Sequence, residues 1–142
     1  MSILGIDYGA KKIGVAKADP TGGPAVPLTT LLVTTPSEGI EQLRQLITSE
    51  GVERLVVGVP VSLSPSGAEL LRDKDHLNKQ MQEVLQFVEQ LKTAVDIPVE
   101  LEDERFSTKL AHGMQKELVK INGDDAVAAM VILQSYLDRK KL

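Results

Sequence analysis

The chain has 142 residues, 42% of them apolar and 25% charged, with a formal charge of −4 at pH 7. That length suits one globular domain, expected over residues 1–142; no apolar run approaches the roughly 20 residues that cross a membrane, residues 1–20 lack the order of a signal peptide, and a cytoplasmic location is expected. The lack of cysteine excludes disulfides, thiolate catalysis and cysteine-ligated zinc, and with only His76 and His112 as imidazoles any metal must sit on oxygen; the acidic balance and 3% aromatic content weigh against a nonspecific nucleic-acid coat and against recognition by base stacking.

Residues 2–8 and 12–18 are β-rich and are joined by "YGAKK", in which Gly9 can supply a positive φ, so they predict an antiparallel hairpin. A third strand is predicted at about 28–35. Ile40, Leu43, Leu46 and Ile47 then share a helical face, with Ser37 as N-cap and Gly51 as the stop. The apolar run "RLVVGVP", 54–60, reads as a strand buried on both faces. A polar loop follows, and Leu77, Met81, Val84, Val88 and Leu91 mark a second helix. "IPVELEDER" predicts a strand with Val99 and Leu101 toward the core. Two helices close the chain, about 107–120 and 124–139, the last with Met130, Leu133 and Leu137 on one face and "DRKKL" as a C-terminus that satisfies the helix dipole. An antiparallel meander followed by helix crossovers requires a mixed sheet in an α/β fold.

Several catalytic signatures fail. Gly9 and Gly14 are not followed by the Lys and Ser/Thr of a phosphate-binding P-loop, and no G-x-G-x-x-G or G-x-S-x-G is present. The carboxylates remain. Asp7 stands in an apolar strand, where burial without a partner costs several kcal/mol, so it belongs at an exposed strand end or in a turn cap. Glu102, Asp103 and Glu104 read singly as a solvated strand-to-helix corner, and Asp124 and Asp125 as helix N-terminal residues. The topology nevertheless carries the first strand's end and the later parallel strands' ends to one sheet edge, where ligand sites of open α/β sheets lie. Asp7, one acid of "DER" and one Asp of the last helix can meet there and hold Mg²⁺ or Mn²⁺ on oxygen, as phosphoryl chemistry requires.

"GIDYGAKKIGVA", "VVGVP", "DERFST" and "DAVAAMVILQSYL" resemble, in order and spacing, the YqgF/RuvX family, related to the RuvC resolvases. The resemblance implies an RNase H-like three-layer fold with a mixed five-stranded sheet and helices on both faces. It implies a metal-dependent nuclease, a hydrolase acting by two metal ions, that processes the 5′ end of pre-16S rRNA in ribosome biogenesis. The alternatives are a Holliday junction resolvase acting on branched DNA and a non-catalytic RNA-binding or ribosome-assembly factor. By residue it implies Asp7, Glu104 and Asp125 as catalytic metal ligands, Asp103 as a further one and Asp124 as the helix cap. The sequence departs from the family after "VVGVP", where "VSLSPSG" replaces an Asn and an acid-glycine turn.

Arg105, Lys11, Lys12 and Lys109 are the candidate phosphate contacts, Arg105 foremost for its planar fork. Gly5 and Gly9 either leave room for substrate or metal beside the backbone or serve only the hairpin. The expected partners are structured RNA or branched DNA and ribosomal precursor particles, with no membrane, for a monomer or a homodimer.

Overall fold

Side chains along a strand alternate between the two faces of a sheet, and here the two faces are built from residues of different size. The computed structural model describes residues 2–9, 11–59, 79–103 and 124–140. Its elements are β1 (Ser2–Tyr8), β2 (Lys12–Ala18), β3 (Val26–Leu32), α1 (Pro36–Glu50), β4 (Val52–Val59), α2 (Lys79–Ala94), β5 (Val99–Asp103) and α3 (Asp124–Lys140). The strand order is β3-β2-β1-β4-β5. β1 pairs antiparallel with β2, and β2 with β3; β1/β4 and β4/β5 are parallel. The mixed five-stranded sheet is the expected one, and the ends of β1, β4 and β5 share an edge.

One face carries large aliphatic residues. Leu4, Ile6, Ile13, Val15, Leu55, Val57 and Val59 are buried there against Ile40 and Leu43 of α1 and Met81, Val84, Phe87, Val88 and Leu91 of α2. The other face is small: Gly5, Gly14, Ala16 and Ala18 let α3 lie close to the backbone of β1 and β2. A Cβ on Gly5 would stand 2.7 Å from Leu133 Cβ, and one on Gly14 only 1.9 Å from the Asp125 carbonyl oxygen. α3 is apolar around most of its circumference and is buried accordingly, from Ala126 and Val127 through Leu133 to Tyr136. The space beside Gly5 that could have admitted a ligand is therefore filled by the helix.

Local signals explain most boundaries. Gly51 ends α1 at φ +60°, the left-handed cap that glycine favours. The start of α1 differs from expectation. Thr35, not Ser37, is the N-cap; its Oγ1 accepts the Glu38 N–H at 3.2 Å, while Glu38 accepts from Thr34, and Pro36 opens the helix. Thr34 and Thr35 are thereby drawn into the cap, so β3 is displaced from the predicted 28–35 to Val26–Leu32. Pro27 is tolerated because β3 is an edge strand. β4 starts two residues before the predicted 54. Gly9 is not among the glycines with positive φ; its N–H donates to Lys12 O at 2.9 Å, and a Cβ would approach that oxygen to 2.8 Å, so steric closeness and not backbone handedness selects glycine in the hairpin. Leu77, the polar loop and the helix predicted at 107–120 lie outside the described residues.

Gly14→Ala should cost about 3 kcal/mol, the upper end for overpacking, because the new methyl collides with backbone that cannot rotate away. Urea unfolding would measure it.

Candidate metal and nucleic-acid site

Asp7 is the penultimate residue of β1 and is half-buried, so the exposed strand end expected for it is only partly realised. It sits opposite Gly14 of β2, and residues opposite each other share a face. The Asp125 carbonyl lies where a Gly14 side chain would start. Asp7, in β1, and half-buried Asp125, at the start of α3, are thus brought to the same face at the same sheet edge. Lys12 has the parity of Gly14 and stands at this edge, exposed. Lys11 precedes the strand and is also exposed, its carbonyl accepting the Val33 N–H.

The β5 acids divide between the faces. Leu101 packs on the core shared with α1 and α2, and half-buried Asp103, two residues on and opposite Val59, has the same parity. The pleat therefore sets Asp103 on the sheet face away from Asp7. Glu100 and Glu102 face α3. Glu104, Arg105 and Lys109 lie outside the described residues, as does the side chain of Asp124. Among the described residues no group of three or more acidic or imidazole side chains is gathered closely enough to hold a metal ion. Asp7 and Asp125 offer only oxygen, which suits Mg²⁺ or Mn²⁺ and not a soft metal.

Reading "LEDER" as a solvated corner is wrong for Glu102, which is 5% exposed. Its Oε1 accepts from Arg139 Nε at 3.1 Å and Nη2 at 2.7 Å, and its Oε2 from Ser135 Oγ at 3.0 Å. Two residues earlier, Glu100 accepts from the Tyr136 hydroxyl, which itself accepts from Arg54 Nη1 at 2.8 Å. The "DRKKL" tail therefore does more than answer a helix dipole. These partners were missed, although period two in β5 and the four-residue spacing of Ser135 and Arg139 both point to them.

Two clefts lined by described residues lie away from the acid pair. A cleft of about 620 Å³ between the C-terminal ends of α1 and α2, lined by Arg44, Ile47, Val95 and Ile97, opens at the opposite edge of the sheet. Another of about 440 Å³, beside Gly22, Arg54 and Lys140, opens there too.

The fold is RNase H-like. Thermus thermophilus RuvC, solved with a Holliday junction substrate, is similar over 99% of this chain and 96% of its own at a TM-score of 0.58 and 14% identity. The Fowlpox virus resolvase, solved with Holliday junction DNA, is similar over 99% of both chains at 0.54 and 12%. Within that class the chain belongs to the RuvX family, described as Holliday junction resolvase, which it matches over residues 1–139. A Chloroflexus aggregans protein named "Putative pre-16S rRNA nuclease" is 35% identical, over 99% of this chain and 95% of its own. A protein of the same name from Desulforamulus reducens is 36% identical over 97% of each. Family and relatives alike place the chain among nucleases.

The α3–β5 contacts make stability depend on pH. Burial raises the Tyr136 pKa above the ordinary 10.0, and its hydrogen bond to the Glu100 carboxylate raises it further, against the opposing pull of Arg54. A phenol raised on folding contributes fully below the unfolded value and loses that contribution as pH climbs through the folded one. Stability should fall as pH rises above 10, and Tyr136→Phe should shrink the fall without abolishing it, because burial also raises Tyr8. At neutral pH the same variant should lose about 1 kcal/mol, since Glu100 and Arg54 lose a shared partner; denaturant titrations at several pH values would test both.

Proposed function

We propose that this protein is a divalent-metal-dependent nuclease that processes the 5′ end of pre-16S rRNA on ribosomal precursor particles in the cytoplasm, with residues 1–142 acting as one domain. One observation supports the reading: the Asp125 carbonyl fills the place of a side chain on Gly14, the residue opposite Asp7, so the backbone at Asp125 lies at the sheet edge that carries Asp7. The name shared by full-length relatives supplies the RNA.

Asp7, Glu104 and Asp125 are the proposed ligands. The pleat of β5 sets Asp103 across the sheet from Asp7, which argues against Asp103 as a further ligand. Two Mg²⁺ or Mn²⁺ ions, when bound, supply Lewis acidity to the attacking water and to the leaving oxygen. Three carboxylates would offset most of that positive charge and offer only oxygen to the ions. Lys12, on the same face, holds a phosphate oxygen and orients the scissile backbone; Arg105, Lys109 and Lys11 extend that grip, and Gly9 keeps the hairpin tip free of a side chain. RNA hydrolysis needs one such site, so a monomer suffices, whereas symmetric cutting of a four-way junction requires a dimer.

Purified protein should cleave 5′-extended pre-16S rRNA with Mn²⁺ or Mg²⁺ and lose cleavage in EDTA. Asp7→Asn should lower the rate at least about 100-fold, since losing one ligand removes several kcal/mol of charge stabilisation. Lys12→Ala should instead raise KM about fivefold at nearly unchanged kcat, as expected for one contact of about 1 kcal/mol. Cleavage of a four-way DNA junction in preference to the RNA would reassign the substrate to branched DNA. Cleavage that survives EDTA or Asp7→Asn would sink the mechanism, and binding of RNA without any cleavage would make the protein an assembly factor.

A further inference from the structure

Among the described residues the buried charged side chain, that of Glu102, is not one of the proposed ligands. Glu102 faces the same side of the sheet as Asp7, yet both its oxygens are taken by α3: Oε1 by Arg139 and Oε2 by Ser135. Ser135 and Arg139 stand one turn apart on the helix, so Glu102 is gripped at two heights of the same helical face. The close contacts at Gly5 and Gly14 set how near α3 comes to the sheet. Apolar contact is non-directional and holds rotation and slide only loosely, whereas hydrogen bonds weaken steeply when their angles change.

We propose that Glu102, Ser135 and Arg139 are positioning residues for the metal site, fixing the rotation and slide of α3 so that Asp125 stays beside Asp7. The proposal rests on the reading of Asp7 and Asp125 as metal ligands. Arg139 lies about 21 Å along the helix axis from Asp125. A helix moves as a body over that distance, so a slide at its far end arrives at Asp125 undiminished, and an error of about 1 Å at a reacting group costs on the order of 100-fold in rate. The arrangement is one-sided: the Arg139 side chain is 56% exposed and its partner 5%. Removing the arginine strands a buried carboxylate, which recovers solvation only if α3 and β5 move apart.

Calorimetric titration of the metal-free protein with Mn²⁺, run well below the unfolding midpoint, tests this in wild type, Arg139→Ala, Arg139→Lys, Glu102→Gln and Asp7→Asn. Arg139→Ala and Glu102→Gln should each weaken Mn²⁺ binding about tenfold, and Arg139→Lys should recover part of the loss by keeping the charge without the fork. Wild-type Mn²⁺ affinity in both Arg139→Ala and Glu102→Gln, with only a lowered melting temperature, would overturn the positioning role and leave the metal site standing. Undiminished binding in Asp7→Asn would overturn the metal-ligand reading and this proposal with it. Should Arg139→Ala fail to fold, Glu102→Gln and Arg139→Lys make the same comparison.

Discussion

The sheet edge that carries Asp7 depends on how closely α3 lies on β1 and β2. The sheet is asymmetric by residue size. Its large aliphatic face forms a thick core with α1 and α2, while its glycine and alanine face admits a helix almost to backbone contact. A helix at ordinary packing distance, about 10 Å from a sheet, would leave the start of α3 too far from β1 for short carboxylates to meet. Small residues on the sheet therefore bring the helix close, and the bulk they forgo is returned by the large apolar residues of the helix laid over them.

Close packing alone would leave that helix free to settle in neighbouring rotations, since alanine and glycine offer few knobs to interlock. The polar contacts between β5 and α3 answer this. An ion pair with one partner buried, such as Glu102 with exposed Arg139, adds little net stability, because desolvating the carboxylate offsets much of the attraction. What it adds is direction. Glu100, Tyr136 and Arg54 repeat the arrangement two residues along the strand, so the helix is tied to β5 by a row of acids of one parity.

The strands and helices were legible wherever period and punctuation agreed: alternation in β1 and β2, the apolar run of β4, the spacing of Met130 and Leu133, and Gly51 as a stop. The cap at Thr35 was missed because Ser37 is an equally good capping type, and only Pro36 favours the earlier residue. The roles of Gly5, Gly9 and Gly14 could not be read, since a glycine kept for closeness leaves no mark that separates it from one kept for a turn. Asp7 stood out through its apolar surroundings. Glu102 did not, because an acid among acids looks solvated until its partner from elsewhere in the chain is known.

The net charge of −4 is compatible with a polyanionic substrate once the proposed ligands are considered together. With Asp7, Glu104 and Asp125 as the proposed ligands, the metal-free edge would repel phosphate, whereas two bound divalent cations would outweigh three carboxylates and reverse the local sign. Attraction is then confined to the loaded site and to the few cations beside it, such as Lys12, and the rest of an acidic surface repels phosphate held anywhere else. Under the proposed ligand set, an acidic chain would engage a phosphodiester only beside its bound ions.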